Sequence, residues 1–224
     1  MPYIGYFQLI NTVDKFIFYD EVTFIKKGWI NRNRMLLNNQ PKMFTIPLTN
    51  ASSNNLIKDV LISDDKYKEW RRSFLRSLMF SYKKAKNYNK VQPLIENVLS
   101  GSPKHISDLA IKSVMEVSKY LELQTEFETY TQDSGVIYDS AQDRVLSICS
   151  REQATIYINP IGGTELYSVS DFEKKNIELY FLQSSKSIYK QFSNEFVPFL
   201  SIIDILMFND KKEIINMFEN FELV

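Results

Sequence analysis

The densest chemistry in the sequence lies at residues 26–34, KKGWINRNR, where Lys26, Lys27, Arg32 and Arg34 share nine positions with Asn31, Asn33 and Trp29. Strand alternation through INRNRM puts Asn31 and Asn33 on one face and Arg32 and Arg34 on the other. Two guanidinium groups on one face can grip a phosphate or carboxylate bidentately. Two carboxamides can read sugar hydroxyls or amides. Lys27 adds a cation and Trp29 a stacking surface, although a tryptophan there could equally be rim packing. The alternative to a binding surface is a solvated strand edge. A strand polar on both faces is hard to place in a core, so the binding reading is preferred.

Two aspartates are candidate bases. Asp20 ends the apolar run KFIFY, at a strand end where α/β sheets bind ligands; it could bind a ribose, accept a proton or cap a turn. Asp204 sits in LSIIDILMF, where an acid inside an apolar helix demands a partner. It could act as a base, or be a buried acid bonded to backbone or arginine. Asn159 and the glycines of IGG (Gly162, Gly163) follow an apolar strand and are candidate ligand contacts, with Tyr167 as a possible stacking ring. The simpler reading of the glycines is a turn that needs positive φ.

Other chemistries lack the residues. One histidine, His105, and one cysteine, Cys149, leave no metal set. His105, in GSPKHISD, reads as a surface turn residue rather than a triad member. Cys149, in DRVLSICSR, reads as a buried thiol on an apolar helix face. Neither GxxxxGK[ST] nor GxGxxG occurs. No cofactor is implied.

The elements that must position these residues alternate. Apolar periodicity predicts helices at 5–12, about 66–86, and within VQPLIENVLS, ISDLAIKSVMEVSKYL, AQDRVLSICSR, LSIIDILMF and KKEIINMFENF. Strands are expected at 15–19, in a hairpin RMLLNNQPKMFTIPL turning at NNQP, at 56–62, and in TEFETY, ATIYINP and IELYFL. Asp64 or Asp65 is expected to cap the long helix, and Ser107 or Asp108 a later one. The pattern is α/β: a Rossmann-like mixed or parallel sheet with a largely helical middle segment. The 224 residues are expected to form one domain, with a helical subdomain over 64–124.

Net charge is zero, with 27 cationic and 27 anionic residues, so no whole-chain field favours nucleic acid or membrane. Residues 66–90 hold nine Lys or Arg and one acid, Glu69. That is a solvated helix face or an attractor for a phosphorylated ligand; nucleic acid is the disfavoured partner. No apolar run approaches the length of a membrane span and no signal peptide is visible, which makes the cytoplasm the expected location.

Several blocks resemble one family. PYIGYFQLINTVDKFIFYDEVTFIKKGWINRNRMLLNNQPKMFTIPL is similar to the opening of the WbqC-like family. YKKAKNY, ATIYINPIGGTELY and FVPFLSIIDILMFN resemble its later signatures in the same order. The resemblance implies a protein encoded among genes for bacterial surface polysaccharides, including O-antigen. It suggests a transferase adding glycine or another amino acid to a sugar, with a sugar-nucleotide or amino sugar as substrate. The rival reading is a non-catalytic protein of the same pathway that binds a sugar-nucleotide or a biosynthetic enzyme. The family usually opens with a short strand and a Gln-Pro segment before this block; here Met1-Pro2 come first, so that strand is expected to be missing. Many members carry histidine where this chain has Phe74, which argues against histidine-dependent chemistry. YIGYF also faintly resembles the HxGH nucleotidyltransferases, with aromatic residues in place of both histidines, which suggests a nucleotide over the first helix N-terminus.

Overall fold

The computed structural model describes residues 1–130, 137–193 and 195–224. The class is α/β. Helix α1 (Ile4–Thr12) leads into strand β1 (Lys15–Phe18), which runs parallel to β6 (Glu126–Thr129). Strands β2 (Arg32–Leu37) and β3 (Gln40–Thr45) form an antiparallel hairpin. Its turn is Asn38–Asn39, with φ of 53° and 58°. Paired positive φ matches the right-handed twist of a two-residue hairpin, and asparagine tolerates it. The turn is therefore tighter than NNQP, and Gln40 and Pro41 already belong to β3.

The expected strand over 56–62 is instead a 3-10 turn at Ile57–Asp59 followed by the short strand β5 (Leu61–Ile62), paired with β4 (Leu48–Thr49). Three helices fill the middle: α2 (Asp64–Tyr82), α3 (Tyr88–Val98) and α4 (Ile106–Tyr120). Helix α4 starts one residue before the expected caps. Its N-cap is His105, whose backbone N–H and imidazole Nδ1 both lie 3.3 Å from the Asp108 carboxylate. Ser107 is thereby inside the helix rather than at its cap.

The last third holds α5 (Ala141–Arg151), β7 (Ile156–Pro160), α6 (Val169–Glu173), β8 (Glu178–Ser184), α7 (Ile202–Phe208), α8 (Lys211–Phe218) and β9 (Phe221–Leu223). Strands β7, β8 and β9 make a mixed sheet, parallel between β7 and β8 and antiparallel between β8 and β9. Among the described residues the strands pair within four small sheets. Strand β9 is a short edge that periodicity did not foresee.

The main core runs through both the helical middle and the flanking elements, with Phe7, Leu78, Tyr82, Ile95, Ile203 and Phe218 in one cluster. A smaller cluster of Val145, Leu146, Cys149, Phe172 and Ile177 lies under α5 and α6. Gln8, fully buried on α1, donates to Met217 O and Asn220 O at 3.0 and 2.9 Å. Both carbonyls also accept a backbone N–H, from Asn220 and Ser185, and the Gln8 amide adds a second donor to each, tying the first helix to the end of α8.

Candidate functional site

Strand β2 carries the alternation its residue types require. Asn31, just before it, and Asn33 are buried, while Arg32 and Arg34 are half-exposed. The asparagines are engaged within the protein. Asn31 Nδ2 donates to Ile46 O at 3.1 Å, and Asn33 Nδ2 donates to Met1 O at 3.0 Å. Asn33 Oδ1 accepts the Arg34 backbone N–H at 2.8 Å. The carboxamides thus fix the hairpin against the neighbouring chain and leave the guanidinium groups to face outward.

All four residues line a cavity of about 470 Å³. Its other walls come from the start of α1 (Pro2, Tyr3, Tyr6), the end of β1 (Phe18, Tyr19, Asp20) and one face of α4. Ser107, Ala110, Ile111 and Val114 are spaced i, i+3, i+4 and i+7, the helical spacing that brings them to a common wall. Trp29, Tyr3 and Phe199 stand at the rim, 58 %, 45 % and 71 % exposed, so aromatic surface is available to a ligand at the mouth. Phe199 holds φ of 58°, a costly conformation for a bulky side chain. The following residues are pinned: Ser201 N–H donates to Arg34 O at 2.9 Å, and Ile202 N–H to Pro2 O at 2.8 Å.

The electrostatics centre on the arginines. Both guanidinium carbons lie 5.5 Å from the Trp29 ring centroid, so the indole supports two cations. The Nε of Arg32 and that of Arg34 are each buried without a hydrogen-bond partner. Neither side chain joins a salt bridge among the described residues. Two like charges beside apolar walls, lacking an acid, form an anion-seeking arrangement.

Asp20 is the carboxylate on the cavity wall. Burial raises its pKa, opposed by hydrogen bonds from its own backbone and from Ser107 and by the charge of Lys58, and reinforced by Glu21. Lys58 itself pairs with Glu21 at 2.6 Å. Burial also pushes the Tyr6 phenol up to about 12, so it stays protonated as a donor.

The remaining candidates lie elsewhere. Lys27 is exposed, at φ of 60° in the turn before Trp29, and is not on the cavity wall. Asp204 is fully buried and accepts from Tyr82 Oη at 2.7 Å, Tyr189 Oη at 2.6 Å and Gln191 Nε2 at 2.8 Å. These contacts describe a buried, bonded acid, and Asp204 is not among the residues that line the cavity. Asn159, Gly162, Gly163 and Tyr167 gather near the smaller core, where Tyr157 Oη donates to Asn159 Oδ1 at 3.3 Å. The two glycines belong to a 3-10 turn, Ile161–Leu166, and do not use positive φ, which corrects that expectation. A Cβ at Gly163 would meet the Asn159 amide, so a larger residue there would have to turn that side chain away. Tyr167 packs edge-on against Tyr157 and Phe172. Burial pushes the Cys149 thiol up to about 11, as for an inert core cysteine.

Sequence reasoning missed the aromatic wall, the α4 face and Phe199. The α4 face was available in principle as small and apolar residues at helical spacing; the positive φ of Phe199 leaves no signal in composition.

Among the described residues no helix is long and apolar enough to cross a membrane. No solved structure matches the chain. A relative, the uncharacterized protein Rv1507c of Mycobacterium tuberculosis (strain ATCC 25618 / H37Rv), is 25 % identical over 209 residues, which cover 92 % of this chain and 88 % of that one. The family model described as the WbqC-like protein family matches residues 1–216, through the cavity-lining segments and on into α8. The chain belongs to the WbqC-like protein family.

Proposed function

We propose that the cavity between β2, α1 and α4 binds an anionic small molecule, and that the protein is a transferase of bacterial surface polysaccharide biosynthesis. The substrate class in this reading is a nucleotide-activated or amino sugar, with glycine or another amino acid as the group transferred. The observation that carries the reading is the Arg32–Arg34 pair, two cations on a cavity wall with buried, unpartnered Nε atoms and no salt bridge among the described residues. A phosphate or carboxylate would supply the missing acceptors in bidentate geometry. Trp29, Tyr3 and Phe199 would stack on a ring at the mouth. Asp20 would take a proton from the attacking group, its raised pKa bringing it closer to that of a working base at neutral pH.

A second reading is favoured by one observation. Among the described residues, the cavity wall has no histidine, cysteine or lysine, and no carboxylate besides Asp20. A protein that binds the same ligand without turning it over fits that sparse set.

The two readings separate on turnover. Purified protein is incubated with nucleotide sugars, glycine and ATP, and the mixture is analysed by mass spectrometry. The transferase reading expects an aminoacyl-sugar product that disappears in Asp20→Asn. Persistent absence of product together with tight ligand binding would establish the binding protein instead.

A further inference from the structure

We infer that the part of the ligand lying below the arginines is a hydrocarbon body rather than a sugar. This inference rests on the anion-binding reading above and names what the anion is attached to.

The polar side chains of the wall are largely engaged already. Asn31 and Asn33 donate to backbone carbonyls, and Asn33 Oδ1 accepts from Arg34 N–H. Ser113 Oγ donates to Ala110 O at 2.8 Å within its own helix. Ser107 lies beside Asp20 on the same wall, where it favours the Asp20 carboxylate. That leaves the guanidinium groups and Asp20, suited to the charged end of a ligand, and the phenol hydroxyls of Tyr3, Tyr6 and Tyr19. Phe18, Ile30, Phe44, Ile46, Ile57 and Val114 give the rest of the wall an apolar surface. A buried sugar would set several hydroxyls against these side chains without partners, which is unfavourable. An alkyl or aryl group would gain by leaving water there.

A second observation extends the space in the same direction. A neighbouring cavity of about 30 Å³ shares Ile30, Phe44, Ile46 and Ala110 with the first and reaches Trp70 and Phe74. Trp70 stacks on Phe74 with ring centroids 5.2 Å apart. Apolar surface therefore continues beyond the main cavity, and among the described residues the polar side-chain groups of the smaller one are the Ser113 hydroxyl and the Trp70 indole N–H. The ligand class is an amphipathic anion, a phosphate or carboxylate joined to a hydrocarbon, with any sugar placed at the open rim beside Trp29 and Phe199.

Isothermal titration calorimetry on the full chain tests this with three probes: inorganic phosphate, glucose 1-phosphate, and hexyl phosphate below its micellar range. Hexyl phosphate is expected to bind at least about tenfold tighter than inorganic phosphate, and glucose 1-phosphate within about threefold of it. Ile111→Asn should erase the hexyl increment and leave inorganic phosphate unchanged. Val114→Thr, near-isosteric, carries the same test if the asparagine variant does not fold. Glucose 1-phosphate binding as tightly as hexyl phosphate, or a hexyl increment untouched by both variants, would overturn the inference while leaving the anion site standing. If no probe binds, or Arg34→Gln leaves all three affinities unchanged, the anion reading falls and the inference with it.

Discussion

The Tyr82 hydroxyl donates to Asp204 Oδ1 at 2.7 Å while accepting the backbone N–H of Leu36 at 2.9 Å, joining α2 to α7 and to the strand that carries Arg32 and Arg34. The same carboxylate takes Tyr189 and Gln191 through Oδ2, and Gln191 exchanges hydrogen bonds with Val197 N–H and C=O. Asp204 thus fixes both the back of the β2 hairpin and the segment that delivers Phe199 to the cavity rim. Tyr82→Phe removes one hydroxyl and leaves Leu36 N–H and Asp204 Oδ1 short of a partner. The expected loss is about 1–3 kcal/mol of stability in urea denaturation. Asp204→Ala leaves three buried donors unsatisfied and should cost about 3–5 kcal/mol. Changes below about 0.5 kcal/mol in both variants would show that the network is not holding the fold.

Asp204 also sets a pH dependence. Burial raises its pKa above the ordinary 3.8, outweighing the three donors. Between the ordinary and the raised value the folded protein holds more protons than the unfolded chain, so stability falls as pH rises through that window. The contribution is fully present below 3.8 and lost above the folded pKa. Wild type and Asp204→Asn are compared by urea denaturation across acid pH. The stability difference, wild type minus variant, is expected to shrink as pH rises from about 4. A difference that grows over that window contradicts the assignment.

Gly5 makes a separable prediction. A Cβ at this position would overlap the Tyr3 ring, which lies over the first turn of α1 and lines the cavity. Tyr3 is half-exposed and can swing away. Gly5→Ala should therefore displace the ring and weaken ligand binding with a stability change within about 1 kcal/mol, since alanine favours the helix. A crystal structure of the variant with Tyr3 unmoved would contradict this.

Asn33, on the cavity wall, also holds Arg34 through its backbone N–H. Asn33→Ala frees the Arg34 N–H and Met1 O from their side-chain partner, at an expected cost of about 1–3 kcal/mol in thermal or urea unfolding. Asn33→Asp keeps the acceptor for Arg34 N–H, loses the donor to Met1 O and brings a carboxylate next to Arg34. It should weaken anion binding more than Asn33→Ala does. Equal binding by both variants would remove Asn33 from the positioning role.

Much of the local structure could be read from the chain because period and turn chemistry act locally. The polar alternation of Asn31 to Arg34 became the burial alternation of β2. The helices from Asp64 to Tyr120 follow their apolar spacing. Asp20, Trp29 and the Asn31–Arg34 run line one cavity, the first from the end of β1 and the others from β2 and the turn before it. What could not be read was set by partners far along the chain. The Tyr82–Asp204 bond spans 122 positions, so the role of an acid in an apolar helix depends on a residue that no local window contains. Gly163 lies close to the Asn159 amide and the Tyr167 ring, a proximity that the residue types of the segment do not disclose.

The most direct test of the central claim is calorimetric titration of hexyl phosphate into wild type and the double variant Arg32→Gln, Arg34→Gln. Neither arginine holds an ion pair among the described residues, so the melting temperature should stay within a few degrees of wild type. The account predicts a loss of affinity of at least about tenfold with the fold intact. Equal affinity in the two proteins would show that the paired arginines of β2 are not the anion-binding group.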